Sequence, residues 1–267
     1  MVNVIVAGAA GRMGGRIIHM IDQTEGVELS AAFERSGSPA LGQDAGVVAG
    51  LKPLSVPVAD SLTAVIDKGD VIIDFTFHEA TMAHARLAAQ HKKPMVIGTT
   101  GLTKENLEEL KALTANFPCV QAPNMSVGVN LLYKLVTTAA QVLGDDYDIE
   151  IIEAHHRMKK DAPSGTALQL ARVIAEAVGR DLDEVGVYAR HGMIGERTRK
   201  EIGIQTIRAG DIVGEHTVLF GTTGERIEIT HKASSRDTFA KGAVRAAKWV
   251  VSQAPGLYNM QDVLGLK

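Results

Sequence analysis

Residues 153–166, Glu-Ala-His-His-Arg-Met-Lys-Lys-Asp-Ala-Pro-Ser-Gly-Thr, put two histidines, an arginine and two lysines into the six positions from His155 to Lys160. The run Pro163-Ser164-Gly165-Thr166 that follows reads as the start of a helix. Cationic side chains beside a helix start suit a small anion. The first backbone N–H groups of a helix are unpaired, and they carry the positive end of its dipole. A lysine and a histidine in one pocket can also deliver a proton. The chemistry this segment offers is therefore to hold a small anion and protonate it.

The rest of the chain must position that segment. With 267 residues it can bury a full core, and two compact units are expected. The net charge of −3 gives no general basic field, so the cations at 155–160 are local and fit a small anion rather than a nucleic acid. Cys119 is the one cysteine, which excludes an internal disulfide and a cysteine-based zinc site. No side-chain set has metal-ligand spacing, and no metal is expected. The opening Met1-Val-Asn-Val-Ile-Val-Ala-Gly8 reads as a strand rather than a signal peptide. No apolar run approaches the roughly 20 residues of a membrane span. A cytoplasmic protein without a membrane partner is the expectation.

Val2 to Ala7 is a β-branched run that ends in Gly8-Ala9-Ala10-Gly11-Arg12-Met13-Gly14. Met13, Ile17, Ile18 and Ile21 then repeat at helical spacing. Strand, glycine turn and helix in that order is the context of a dinucleotide fingerprint. The spacing is Gly-x-x-Gly-x-x-Gly, but the demands on it are the same: a tight turn, and close approach of backbone to a pyrophosphate at the helix start. Arg12 adds a possible charge-assisted bond to phosphate. The next strand, Val27–Phe33, ends at Glu34, twenty residues after Gly14, where an acidic residue binds a ribose hydroxyl. Arg35 follows directly, and a guanidinium suits a 2′-phosphate. Having both predicts that NADH or NADPH is accepted.

Strand–helix alternation continues through Val71–Phe75, Glu79–His91, Pro94–Ile97, a helix opened by Thr103, and Cys119–Gln121. Such repetition means a parallel sheet covered on both faces, with ligands beyond the carboxyl ends of its strands. Gly8–Gly14, Glu34, Phe75–Phe77, Gly98–Thr100 and Ala122–Met125 all fall at those ends. From Val127 the pattern changes. A helix is predicted over 127–143, a strand over 148–154, a helix from 166 to about 178, and alternating strands over 202–207, 215–220 and 226–230. A last helix over 237–251 is expected to return to the first unit and close its sheet. The fold class is α/β: a Rossmann-type doubly wound parallel sheet in residues 1–126 and 237–267. A second α+β domain with a mostly antiparallel sheet occupies residues 127–236, where substrate and subunit contacts are expected.

Taken together, Gly8-Ala-Ala-Gly-Arg-Met13, Glu34-Arg35, Gly98-Thr-Thr-Gly101, Ala122-Pro-Asn-Met-Ser126 and the 153–166 segment resemble the 4-hydroxy-tetrahydrodipicolinate reductases, or dihydrodipicolinate reductases, over essentially the whole chain. The resemblance implies a homotetramer that uses NADH or NADPH to reduce a cyclic imine dicarboxylate in lysine and diaminopimelate biosynthesis. It implies that Gly8, Ala9, Ala10, Gly11, Arg12 and Met13 cradle the pyrophosphate, that Glu34 binds the adenosine ribose, and that Arg35 meets a 2′-phosphate. It assigns Gly98, Thr99 and Thr100, with Ala122, Pro123, Asn124 and Met125, to the nicotinamide end. His155 and Lys159 match proton-donor positions, His156 a substrate contact, and Gly165 and Thr166 the carboxylate-binding helix start. Many members carry an aromatic residue where this chain has Met125.

Lys159 is the first choice of donor, since neighbouring cations favour loss of a proton from an ammonium; His155 is the other choice. Adjacent residues on an extended segment face opposite ways, so His155 and His156 do not both enter one pocket. Two other functions compete. A semialdehyde dehydrogenase acting through a thioester needs an activated cysteine, and Cys119 lies in a strand with no adjacent base. A non-catalytic NAD(P) sensor would have no use for His155 and Lys159, and turnover of NADH would dispose of it.

Overall fold

The computed structural model describes residues 1–267, which divide into two compact units, Met1–Val127 with Asp237–Lys267, and Gly128–Arg236. In the first unit β1 (Val2–Ala7), α1 (Arg12–Asp22), β2 (Val27–Phe33), α2 (Ala45–Val48), β3 (Val58–Ala59), β4 (Val71–Asp74), α3 (His78–His91), β5 (Met95–Ile97), α4 (Lys104–Leu113) and β6 (Pro118–Gln121) follow one another. The second unit holds α5 (Val127–Leu143, whose first residue belongs to the first unit), β7 (Asp148–His155), α6 (Gly165–Ala177), α7 (Leu182–Val185), β8 (Gly186–Val187), β9 (Ile202–Arg208), β10 (Gly214–Thr222) and β11 (Glu225–Ala233). The chain then returns to the first with α8 (Asp237–Val250), β12 (Gly256–Tyr258) and α9 (Met260–Leu264).

The first sheet is parallel throughout, in the order β12-β6-β5-β4-β1-β2-β3. Its central strands are apolar over most of their length because both faces are covered. Val4 and Val6 of β1 and Ile73 of β4 join Ile17, Ile18 and Ile21 of α1 and Ala243 and Val244 of α8 in one core. The alternate residues, Ile5 and Ile72, join Met82 of α3, Leu110 of α4 and Phe117 in another. Strand order reverses between β1 and β4, so the crevice at their carboxyl ends is the natural ligand site. The return helix is held to α1 by Arg16, which donates through Nε and NH2 to the two Asp237 oxygens at 2.5 Å each. The last helix covers the sheet rather than closing it; β12 does the closing, beside β6.

The second sheet runs β11-β10-β7-β9-β8. Its strands are mixed rather than mostly antiparallel: β10 is antiparallel to β7 and β11, but β7 and β8 each run parallel to β9. The hairpin joining β10 to β11 across Thr222-Thr223-Gly224 is of the kind the alternating residues predict. The parallel pairing of β7 with β9 was not visible locally, because it depends on the crossover through α6. Ile149, Ile151, Ile204, Val218 and Phe220 pack one face against Leu132 and Val136 of α5 and Leu170 and Ile174 of α6.

Candidate functional site

In the first unit the glycine turn is built as a phosphate cradle needs. Gly8 has a φ of 67°, in the left-handed region that favours glycine. The Gly11 N–H donates to the Gly8 carbonyl at 2.9 Å, closing the turn. The Gly8 and Ala9 N–H groups donate to the Phe33 carbonyl at 3.0 and 3.2 Å, tying the turn to the end of β2. A Cβ on Gly14 would stand 2.0 Å from the Gly8 carbonyl oxygen, so this glycine lets α1 close on the turn. Gly11 caps α1 with no side-chain bond, and no acidic residue stands in the first turn. The helix start therefore faces solvent with its dipole unopposed. Arg12 is exposed there, while Met13 packs against the core and offers its backbone.

Glu34 stands beside this turn. Its carboxylate accepts from the Ala10 N–H at 3.2 Å and from the Arg35 N–H at 3.0 Å. Gly8, Gly11, Glu34 and Arg35 line one cavity of about 720 Å³. Ser61, Thr76, Phe77 and His84 line it as well. Of these, Ser61 and His84 carried no local sign in the sequence. Ser61 follows the two-residue strand β3, and His84 reaches the cavity from the middle of α3.

Behind the cavity lies a closed polar network. Asp74, fully buried at the end of β4, accepts from His84 Nδ1 at 2.6 Å, the Thr76 N–H at 2.9 Å and the Thr76 and Thr81 hydroxyls at 2.7 and 3.0 Å. Thr99 Oγ1 reaches Thr81 Oγ1 at 2.8 Å. Burial opposes the charge on Asp74, yet the bonds from His84 and Thr76 hold its carboxyl below the ordinary range. The Thr99 side chain thus points into the protein. A Cβ on Gly98 would lie 2.1 Å from the Phe75 ring, so glycine lets that ring cover the strand end. Thr100 and Pro123 are exposed, Ala122 and Met125 are buried in the core, and Asn124 Oδ1 accepts from the Ser126 N–H at 2.9 Å. Met125 has no open face for a nicotinamide ring to stack on, and what it can present is backbone.

In the second unit the 153–166 segment wraps the end of β7. Glu153 and His155, two residues apart on a strand, share a side. His155 Nδ1 donates to Glu153 Oε2 at 2.6 Å, and the His155 ring meets the His216 ring edge-on at 5.2 Å. His156 follows the last residue of β7 and is half-buried. Arg208 donates to both Glu153 oxygens, at 2.8 and 2.9 Å, and to the Asp161 carbonyl at 2.7 Å, which draws the 156–163 loop onto the sheet. Ser164 caps α6, its hydroxyl accepting from the Ala167 N–H at 3.1 Å. The Thr166 side chain bonds the hydroxyl of the half-buried Tyr133. Beyond its chain neighbours and the helix's own backbone, nothing stands within 4 Å of where a Gly165 Cβ would be, so there is open space beside the helix start.

Lys159 departs from the expectation based on crowded cations. Its Nζ donates to both Asp161 oxygens, at 2.9 and 2.8 Å. The Lys-Lys-Asp turn folds a carboxylate onto the ammonium, so cation crowding is not what this geometry provides. The Lys159 bond holds the Asp161 carboxyl below its ordinary range. His216 is buried at 3% exposure, and desolvation, then the charge of His155, lowers it to about 3. It bonds Ser164 Oγ through Nε2 at 3.0 Å. Cys119 is fully buried, and its thiol is pushed up by burial and by Asp74, so it is not a nucleophile. No helix is long and apolar enough to cross a membrane.

Comparison with known proteins shows the family of the whole chain. The model of the dihydrodipicolinate reductase N-terminus matches residues 2–125, and that of its C-terminus matches residues 128–264. A 4-hydroxy-tetrahydrodipicolinate reductase of Desulfotalea psychrophila is 62% identical over 100% of this chain and 99% of its own. One from Syntrophus aciditrophicus is 57% identical over the full length of both. Among solved structures, a dipicolinate-bound dihydrodipicolinate reductase from Paenisporosarcina sp. TG-14 superposes with a TM-score of 0.78 at 29% identity, covering 98% of each chain. This chain belongs to the dihydrodipicolinate reductase family, pyridine-nucleotide-dependent oxidoreductases of lysine and diaminopimelate biosynthesis with a Rossmann-type fold.

Proposed function

We propose that this chain reduces the 4-hydroxy-tetrahydrodipicolinate/dihydrodipicolinate ring to tetrahydrodipicolinate with NADH or NADPH. The observation that carries the reading is the helix start at Gly165, with open space beside it, tied through Ser164 and Glu153 to His155, with Lys159 in the same segment. That arrangement suits a small dicarboxylate that must be held and protonated. Gly8 to Met13 form the turn that holds the pyrophosphate at the start of α1, and Glu34 takes the adenosine ribose. Arg35 is exposed at the cavity rim, where it meets a 2′-phosphate. Gly98–Thr100 and Ala122–Met125 bound the nicotinamide end, mainly through backbone. When bound, the nicotinamide supplies the hydride. The protein orients the ring and gives the proton.

For the proton, Lys159 and His155 are the candidates, and His156 with Gly165 and Thr166 takes the carboxylates. The Asp161 partner holds the Lys159 side chain in place until a substrate carboxylate competes for it. The solvent-facing side of the second sheet supports a homotetramer, and the cytoplasm is the proposed location. The test follows absorbance loss at the reduced-nicotinamide band, with substrate generated from pyruvate and aspartate semialdehyde. Wild type should turn over with both cofactors, and Lys159→Ala should lose roughly 10²-fold or more in kcat, within the range of general acid catalysis. An inactive wild type that still binds NADH would sink the substrate assignment.

A further inference from the structure

Glu153 is the one fully buried carboxylate of the second unit, and neither composition nor spacing gave it a task. Its two oxygens divide their partners. Oε2 accepts from His155 Nδ1 at 2.6 Å and from Arg208 NH1 at 2.8 Å. Oε1 accepts from the Ser164 N–H at 2.9 Å, Arg208 NH2 at 2.9 Å and Thr206 Oγ1 at 3.3 Å. Arg208 alone would suffice to neutralise a structural carboxylate. The other contacts reach both halves of the substrate rim: the imidazole on one side, and on the other the backbone immediately before Gly165.

We infer that Glu153 is a positioning residue for the reduction, holding the His155 ring with Nδ1 as donor while fixing the α6 start that receives the substrate carboxylate. The inference rests on the proposed roles of His155 and of Gly165–Thr166. An ionised carboxylate only accepts, so the His155 nitrogen facing it carries the proton. In the neutral ring this leaves Nε2 bare, and Nε2 becomes the nitrogen that takes up and gives back a proton. Space is kept at that nitrogen. A Cβ on Gly214 would already lie 3.2 Å from Nε2, tighter than ordinary contact, so any side chain at 214 would crowd it. The bond to the Ser164 N–H acts on the other half. It secures the cap residue, and with it the direction of the first backbone N–H groups of α6. One carboxylate thereby sets the distance between a proton and an anion site, which is what an oriented reaction needs.

The experiment joins ring-nitrogen NMR with kinetics. In 15N-histidine-labelled wild type, with His155 assigned by its loss in His155→Asn, the neutral ring should be the Nδ1–H tautomer. In Glu153→Gln the amide can face the ring with either its oxygen or its NH2 group, and the single tautomer should give way to a mixture. Turnover of Glu153→Gln should fall roughly 10- to 10²-fold in kcat, with a raised KM for the dicarboxylate and an unchanged KM for NADH. Adding Glu153→Gln to His155→Asn should lower kcat little further, because the second change acts through a ring already gone. An Nε2–H tautomer in wild type overturns the inference, and so do a tautomer unmoved in Glu153→Gln and losses in kcat that multiply. Should Glu153→Gln fail to fold, the wild-type tautomer alone still decides. Wild type that binds NADH but does not reduce the substrate would defeat the proposed function, while the tautomer readout would still report on the Glu153–His155 pair.

Discussion

Each unit carries, in the last residues of a strand, a buried carboxylate that accepts from a histidine Nδ1 at 2.6 Å, Asp74 from His84 in the first and Glu153 from His155 in the second. The pairs differ in what surrounds them. Asp74 is otherwise held by the Thr76 backbone and a ring of threonine hydroxyls, so His84 is the only one of these partners able to carry positive charge. Glu153 has Arg208 across both oxygens as well. The ring neighbours differ too: His84 meets the edge of Phe33, whereas His155 meets another imidazole, His216. A neutral setting makes a carboxylate depend on its histidine. A guanidinium frees the histidine to change its charge without abandoning the carboxylate. The first arrangement suits a wall behind a cofactor cavity, and the second suits a group that must exchange protons.

The largest expected effect breaks this comparison directly. His84→Ala leaves Asp74 buried with hydroxyl and backbone donors but no positive charge, and should cost about 3–5 kcal/mol of unfolding free energy. Arg208→Met leaves Glu153 with His155, which can still be protonated, and should cost less, about 1–3 kcal/mol. Urea midpoints at constant slope measure both. Equal losses, or a larger loss for Arg208→Met, would mean that the two surroundings are not energetically distinct.

Acid titration sharpens the same contrast with a smaller effect. Burial raises Glu153, but bonds from His155, Arg208 and Ser164 outweigh it and hold the carboxyl at about 2, against an ordinary 4.5. A carboxyl whose folded value is depressed binds protons more readily when unfolded. Its contribution, on the order of 3 kcal/mol, is complete above pH 4.5 and drains away as pH falls toward 2. His216 acts in a higher window. Held to about 3, it stays neutral in the folded protein while the unfolded histidine takes a proton below about 6.5. Stability therefore falls as pH drops from 6.5 toward 3, by up to about 1.4 kcal/mol per pH unit. His216→Gln should flatten unfolding free energy between pH 6.5 and 4, and Glu153→Gln should flatten it below 4.5. A wild-type curve already flat from pH 6.5 to 4 would remove the role given to His216.

How much of this was legible follows from the range of the interactions involved. The strands β1, β2, β4, β5 and β6 and the glycine turn were readable because local pattern decides them: β-branched runs, glycine positions and helical repeats within a few residues; β3 and β12, short edge strands, carry too little pattern of their own. Glu34 was readable from a fixed offset. His84 was not, since its importance depends on Asp74 ten residues earlier and on a helix turning it to the strand end. The parallel pairing of β7 with β9 likewise needs Ile149 to find Ile202 across a whole helix. At the second rim the sequence supplied the cations but not their counter-charges. Asp161 stood within the segment and still went unread as the partner of Lys159, because a two-residue turn can point either way. Arg208 lies 55 residues beyond Glu153, and nothing in its own neighbourhood signals the contact.

The smallest expected effect concerns Cys119, which the field of Asp74 reaches from the first pair. Cys119 lies in β6, beside Met95 of β5, with no exposed surface. Burial and the Asp74 charge both disfavour a thiolate, so the two conditions for a cysteine nucleophile, access and ionisation, are missing together. Cys119→Ser should leave kcat and both KM values within about two-fold of wild type. Its cost should appear in stability alone, at about 1–3 kcal/mol for a buried hydroxyl without an assured partner. Labelling should agree, with a thiol reagent leaving the folded enzyme active and unmodified until it unfolds. A loss of turnover well beyond two-fold, with stability retained, would reopen thioester chemistry in this chain. It would also mean that Asp74 does more than hold His84, since the same charge that steadies the histidine is what keeps this sulfur protonated.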